Sequence, residues 1–398
     1  MITFHFAGDT IGGVPVLIVR LTEALAARGE KVKIIAKDHF IVKELQARQI
    51  DFVHVKIDEH TTENLLAAID ENDVLVCIEF SYYLFPLMKK NPRLLFYNIF
   101  VDSISRINRY KWNLDFKSMT RKLVNRLHRK KALYLMDGPG LRSLKTQLNL
   151  SLNDPRYLPI PVDTRPVNTF QQQTGRDFNN KIRITYVGRS EQWKIMPFEK
   201  ILRDIIDIKD RIKTNIELKV VTDDVEKFRN MISDQLGRLP QTMKVEFVAN
   251  IKPADMSAFL LANSDLHFAM GTAVLEGAKL GIPSVLVDVA ENKIGDNYRY
   301  KWIHQTLNYS LGDFVEANTV YEGMVMEDIL AAYFAGNDTV NTVSGLCYRY
   351  VLDNHAIDKV ADDLIRAAAG TEFRFRDAKG VVIYYSAFHR ALKKLVGA

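Results

Sequence analysis

The stretch His267–Asp288, HFAMGTAVLEGAKLGIPSVLVD, decides how the fold is read. Leu266–Ala269 is a short apolar run of strand length. Met270, Gly271 and Thr272 read as a tight turn, and a helix is predicted over Ala273–Leu280 with Gly281 as its stop. Pro283 cannot continue that helix, and Ser284–Val287 reads as the next strand. A strand, turn and helix in this order put the free amides of the helix start at the carboxyl edge of a parallel sheet. In open α/β sheets that edge is where ligands sit. The helix is mostly apolar yet carries one carboxylate, Glu276, near its start.

The same rhythm runs outward in both directions. Upstream, ITFHFAG, KVKIIAK, DVLVCIEF and RLLFYNIFVD read as strands, with VPVLIVRLTEALAARG and ENLLAAID as helices between them. ALYLMDG and RYLPIPVD add two further short strands. The rhythm breaks at Thr164–Lys181, a polar stretch rich in Gln and Asn, and restarts at IRITYVGR. IELKVVTD, VEFVAN and DLHFAM are its later strands. Repeated βα units imply parallel sheets with right-handed crossovers, here two Rossmann-like domains in series. The expected boundaries are 1–165, a linker at 166–181 and 182–380, with a last helix at 381–397 crossing back onto the first domain or packing on its own.

At 398 residues, 47% hydrophobic and 26% charged, the chain has the composition of a soluble two-domain protein. Two cysteines, Cys77 and Cys347, cannot build a disulfide framework or a metal site, so a reducing cytoplasm is expected. MITFHFAGDT lacks the features of a signal peptide, and no apolar run reaches membrane-span length. The net charge is +6, but Arg106–Lys131 holds ten basic residues against Asp115 alone, so the rest is near neutral.

Four features could meet a ligand. Gly12 and Gly13 lie between the first strand and first helix, where they let a ligand approach the backbone or only shape the turn. Their spacing from Gly8 is not G-x-G-x-x-G, and no acidic residue ends the second strand, so a nicotinamide or flavin site is disfavoured. Gly188 ends a strand and puts Arg189 at the carboxyl edge with Lys194 five residues on. An arginine fork and a lysine point charge can clamp a diphosphate, or both can be merely solvated. The turn Gly271–Thr272–Ala273 offers amides to a phosphate. Glu276 either accepts from paired sugar hydroxyls or only complements the helix dipole. No D-x-D motif is present, so no metal site is expected.

GGVPVLIVRLTEALAARGEKV, VGRSEQWK and GTAVLEGAKLGIPSV, in this order and spacing, resemble the retaining GT-B glycosyltransferases, close to glycosyltransferase family 4. LPIPVD and HAIDKVADDL extend the resemblance over nearly the whole chain. It implies two Rossmann-like domains with parallel sheets facing a central cleft. It implies that Arg189 and Lys194 bind the donor diphosphate, that Glu276 holds the ribose, and that Gly271, Thr272 and Ala273 face the phosphates. Gly12, Gly13 and Gly188 would lie beside the donor, with Asn250 and Ile251 framing the base. The implied activity is retaining transfer from a nucleotide sugar, UDP-linked rather than GDP-linked, to a glycan or lipid-linked acceptor, without a cofactor. A catalytically silent scaffold or membrane-surface binding protein, and a sugar-nucleotide epimerase, are the alternatives. Two departures stand out: the glutamate usual eight residues before the ribose one is Phe268, and the first-domain histidine is missing, with Asp102 as a substitute.

FKSMTRKLVNRLHRKK reads as a helix with Phe116, Met119, Leu123 and Leu127 on one stripe and Arg121, Lys122, Arg126, Arg129 and Lys130 around it. Such a helix suits an anionic membrane surface, which would place the enzyme peripherally on the inner face of the membrane near a lipid-linked acceptor. Equally, its stripe can pack on its own sheet. Aromatic interleaving is lacking, so nucleic acid is not expected as a partner.

Overall fold

A computed structural model describes residues 1–6, 12–37, 40–56, 68–78, 90–101, 103–104, 107–108, 116–164, 181–211, 214–316 and 321–382. Asp102, nearly all of the expected linker, Arg106, Arg109 and Lys111, most of ENLLAAID and the helix expected at 381–397 lie outside these residues, Val381 and Val382 excepted.

The chain divides into two units. Unit 1 holds a six-stranded sheet in the order β3-β2-β1-β4-β5-β6. Its strands are β1 (Ile2–Phe6), β2 (Val32–Ala36), β3 (Val53–Lys56), β4 (Val74–Cys77), β5 (Arg93–Asn98) and β6 (Leu133–Leu135). All its pairings are parallel. β4 is wholly apolar and β2 and β5 nearly so because both faces are covered, one by helices Gly13–Ala26 and Ile357–Gly370 and the other by helices Lys117–Arg129 and Gly138–Leu148. RYLPIPVD forms no further strand; it makes only the isolated bridges Leu135–Tyr157 and Val162–Ala356.

Unit 2 repeats the plan as β12-β11-β10-β7-β8-β9. Its parallel strands are β7 (Lys181–Val187), β8 (Asn215–Thr222), β9 (Met243–Ala249), β10 (Leu266–Ala269) and β11 (Ser284–Leu286). The two-residue β12 (Lys301–Trp302) closes the edge antiparallel. The opening stretch folds as expected, strand for strand, with its helix at Thr272–Ala278. These alternating two-unit α/β sheets are the GT-B fold class.

The division of the chain corrects the expected boundaries. Unit 2 is Val162–Ala356, and Ile357 onward joins unit 1. The reason is packing: Ile357, Val360, Ala361, Leu364, Ala367 and Ala368 bury one face of their helix in the first core. Arg28 clamps the same helix through Asp358 at 3.1 Å and Asp362 at 2.6 Å. Beyond it the Leu94 amide donates to the Phe373 carbonyl at 2.8 Å, and Phe373 and Phe375 enter the core beside β5. Among the described residues no helix is long and apolar enough to cross a membrane.

Candidate functional site

In unit 2, β7 and β10 are neighbours whose last residues, Val187 and Ala269, are register partners. The same line continues through Val221 of β8 to Val248 of β9, and through Leu286 of β11. The loops Met270–Thr272, Gly188–Ser190, Asp223 and Asn250 therefore leave one edge in succession, about 4.8 Å apart. From β7 the chain builds β8 and β9 on one side and then β10 and β11 on the other, so the gap between β7 and β10 is the topological switch point.

Gly188 is demanded by packing. A Cβ there would sit 2.7 Å from the Tyr186 ring. Tyr186 is fully buried and its hydroxyl donates to the Lys194 carbonyl at 2.6 Å, anchoring the next helix. The exposed Arg189 reaches Glu191 at 3.9 Å. The Ser190 amide and hydroxyl donate to Asp223 at 2.7 and 2.9 Å. Burial opposes ionisation of Asp223, yet these bonds and the Asp223 and Asp224 amides hold it below the usual carboxylate range.

Helix Gln192–Ile208 starts without a side-chain cap and contains Pro197. Proline lacks the amide that would serve the Trp193 carbonyl, which instead accepts from Ala290 at 3.2 Å. The Gln192 side chain donates to the Glu291 carbonyl at 2.8 Å, so this first turn is fastened to the segment after β11. Lys194 lies in that turn, 4.6 Å over the Trp193 ring. Burial lowers its pKa and Arg189 pushes the same way, while Glu191 and Asp223 oppose them. Two cations that repel each other are relieved by an anion.

Across the switch point Gly271 adopts φ +62° and ψ −144°, donates its amide to the Leu311 carbonyl at 2.8 Å and faces open space. The helix it begins has no side-chain cap, Thr272 is exposed and Ala273 half-buried. Glu276 does not stand alone: it pairs with Lys279 at 2.5 Å, and both are largely buried. Beneath them His267 is fully buried, its Nε2 bonded to the Ala273 carbonyl at 3.0 Å and its Nδ1 to the Thr185 hydroxyl at 2.9 Å. Burial holds its pKa down to about 4, against the Ala273 carbonyl and Glu276. Gly277 makes room for this ring, because a Cβ would approach it to 2.4 Å.

Phe268 is no part of this edge. It faces the core, fully buried, and meets Tyr300 edge-on at 6.0 Å. Counting eight residues back from Glu276 thus lands inside β10, where a carboxylate would lie in an apolar layer. Asn250, at φ +51°, and Ile251 sit at the end of β9, with the Asn250 amide donating to the Thr222 carbonyl at 3.1 Å. In unit 1, Gly12 caps the first helix with extended backbone, and a Cβ on Gly12 or Gly13 would meet nothing within 4 Å.

The apolar stripe of the basic helix packs on its own sheet, the second of its two readings. Leu123, Val124 and Leu127 are fully buried against unit 1's own sheet, and only Phe116 of the expected stripe is exposed. Arg121 donates to the Leu148 carbonyl and Arg126 to the Asp377 carbonyl. Lys130 pairs with the Asp377 carboxylate at 2.8 Å, while Lys122 and Arg129 are exposed.

The sequence reading passed over Lys279, Asp223 and Asp288. Lys279 is legible as an i,i+3 partner of Glu276. Asp223 directly follows a strand, the position already chosen for Arg189. Asp288 shows no sequence signal of its role: it follows β11, accepts from the Asp313 amide at 2.8 Å and the Tyr298 hydroxyl at 3.3 Å, and burial lifts its pKa to about 6.

No family model matches the chain, and no curated protein matches its sequence. Solved structures do match in fold. A glycosyltransferase from Rickettsia africae is similar over 95% of this chain and 98% of its own, with 14% identity and a TM-score of 0.62. An E. coli structure named for trehalose-6-phosphate, bound with UDP-2-fluoro glucose, is similar over 92% and 99%, with 11% identity and a TM-score of 0.55. A variant of S. aureus TarM, in complex with Fondaparinux, alpha-GlcNAc-glycerol and UDP, covers 92% and 99% with 9% identity and a TM-score of 0.54.

Proposed function

We propose that this chain is a glycosyltransferase that moves a sugar from a nucleotide-sugar donor to a glycan or lipid-linked acceptor. The donor is UDP-linked in preference to GDP-linked, no cofactor takes part, and the anomeric configuration is retained. The observation that carries the reading is the convergence of Arg189, Lys194 and the open Gly271–Thr272–Ala273 turn on the β7/β10 switch point of unit 2. The fold neighbours add support, one bound with UDP-2-fluoro glucose and one with UDP.

In this mechanism the acceptor hydroxyl oxygen bonds to the anomeric carbon as the bond from that carbon to the diphosphate breaks. The hydroxyl proton passes to the departing phosphate oxygen, on the same face. The nucleoside diphosphate leaves carrying the charge that the transition state develops. Arg189 grips it with its fork, Lys194 with a charge that binding stabilises, and the Thr272 and Ala273 amides with fixed dipoles, the Gly271 amide being held by the Leu311 carbonyl. Glu276, set by Lys279, accepts from the ribose hydroxyls, with Asn250 and Ile251 beside the base. Gly12 and Gly13 fit a close approach, since neither backbone conformation nor crowding requires glycine there. The cellular setting that goes with this chemistry is cytoplasmic synthesis of a bacterial surface polysaccharide or glycoconjugate.

Thermal unfolding with UDP, GDP, ADP and CMP tests the donor site: UDP raises the midpoint in a concentration-dependent way. Arg189→Ala and Glu276→Ala each weaken UDP binding about tenfold or more, the loss of one charged hydrogen-bonding partner. A flat nucleotide panel overturns the assignment.

A further inference from the structure

Unit 1 holds an open depression of about 560 Å³ whose walls include Lys122, Arg126, His128, Arg129, Ser151 and Asn153. That is within the range of small-molecule sites, about 300–1,000 Å³. Lys122, Arg126 and Arg129 fall at i, i+4 and i+7 of helix Lys117–Arg129, on one face. Ser151 and Asn153 come from the loop that follows helix Gly138–Leu148. Both contributing segments lie at the amino-terminal end of β6, opposite to Asp137, where the next helix begins.

The charge balance of this face is uneven. Two carboxylates near this face are spent elsewhere, Asp377 on Lys130 at 2.8 Å and Glu372 on Lys131 at 3.6 Å, and the exposed Asp154 follows Asn153 outside the lining. Arg126 donates to the Asp377 backbone carbonyl, a neutral acceptor. Among the described residues Lys122 and Arg129 have no hydrogen-bond or ion-pair partner. Like charges four residues apart on a helix repel by about 0.2–0.5 kcal/mol, so this face is stabilised by any anion that enters it. His128 and the neutral donors of Asn125, Ser151 and Asn153 surround the same space, and no acidic residue lines it.

The geometry points to a phosphate-binding site here: a phosphomonoester or pyrophosphate group held by Lys122, Arg126 and Arg129, with Ser151 and Asn153 donating to its remaining oxygens. The guanidinium forks of two arginines and a lysine match that oxyanion geometry. Leu152 is the lone apolar lining residue, and the one ring in the lining is the imidazole of His128, so the space offers no Phe, Tyr or Trp platform for the successive bases of a nucleic acid. Because the apolar stripe of the helix is core, a phosphorylated lipid would be held by its headgroup and not by insertion of the helix. The site belongs to unit 1 and does not depend on the donor assignment in unit 2.

The test compares the full chain with its Lys122→Ala/Arg129→Ala variant, whose two changes are exposed and leave the thermal midpoint in place. Titrated calorimetrically with inorganic pyrophosphate, the full chain shows a binding event that the double variant weakens about tenfold or more. Arg189→Ala, in the other unit, keeps that event, which separates it from a donor site. A parallel arm sediments both proteins with phosphatidylcholine vesicles, plain or doped with phosphatidic acid. Loss confined to the doped vesicles assigns the phosphate to a lipid headgroup, and loss confined to pyrophosphate assigns it to a soluble ligand. Equal binding by the two proteins in both arms overturns the proposal.

Discussion

Gly271 shows what one residue decides. Its φ of +62° with ψ of −144° is a conformation nearly reserved for glycine, yet no neighbouring atom would obstruct a side chain. Gly271→Ala therefore costs backbone strain of about 1–3 kcal/mol without a clash, read as a lowered urea midpoint. Gly277 is the converse, limited by the His267 ring. That histidine also carries a pH signature. His267 and His5 both titrate near 4 in the folded chain because burial disfavours the imidazolium. The ordinary value is 6.5, so between 6.5 and about 4 the unfolded chain binds protons that the folded chain refuses. Their stabilisation is full above pH 6.5 and is lost as the pH falls towards 4. Asp288 runs oppositely, its contribution full below 3.8 and lost as the pH rises through about 6. Unfolding free energy measured from pH 7 to 4.5 falls, and His267→Gln flattens that fall. An unchanged profile in the variant would show that His267 does not titrate as its burial demands.

At the scale of elements, helix Lys117–Arg129 separates two readings of one pattern. An apolar stripe flanked by cations suits a membrane surface and a sheet face equally, because periodicity records amphipathicity and not the identity of the apolar phase. Here the phase is protein: Leu123 and Leu127 are fully buried under the sheet. Leu123→Ala costs about 2–5 kcal/mol in chemical denaturation, as a buried leucine does. A change near zero would return the stripe to solvent or lipid. The crossover around Gly271 was legible in detail because strand, glycine turn, helix and proline stop each act locally. RYLPIPVD was not, since a short apolar run becomes a strand only where a sheet edge is free to pair with it. Pro197 is tolerated inside Gln192–Ile208 for a tertiary reason too: its missing bond matters little once Ala290 serves the orphaned Trp193 carbonyl from ninety-odd positions away.

For the whole molecule, the chain leaves unit 1 at Pro161 and returns at Ile357, so unit 2 is one continuous segment and unit 1 is not. Residues 162–356 expressed alone fold cooperatively and keep the UDP-dependent shift. Truncation after Ala356 strips Val360 and Leu364, both fully buried, from the first core and abolishes its separate unfolding transition in calorimetry. A native-like first transition in the truncated chain would show that the helix Ile357–Gly370 is dispensable. The residues alone determined the βα alternation, the parallel sheets and the positions of Arg189, Lys194, the Gly271 turn and Glu276, because propensity, turn chemistry and strand length are short-range. Tertiary structure alone decided which unit helix Ile357–Gly370 joins, that Phe268 is core and that the basic helix hides its stripe. Each of those depends on which surface a side chain is buried against, and that surface is supplied by residues distant in the chain.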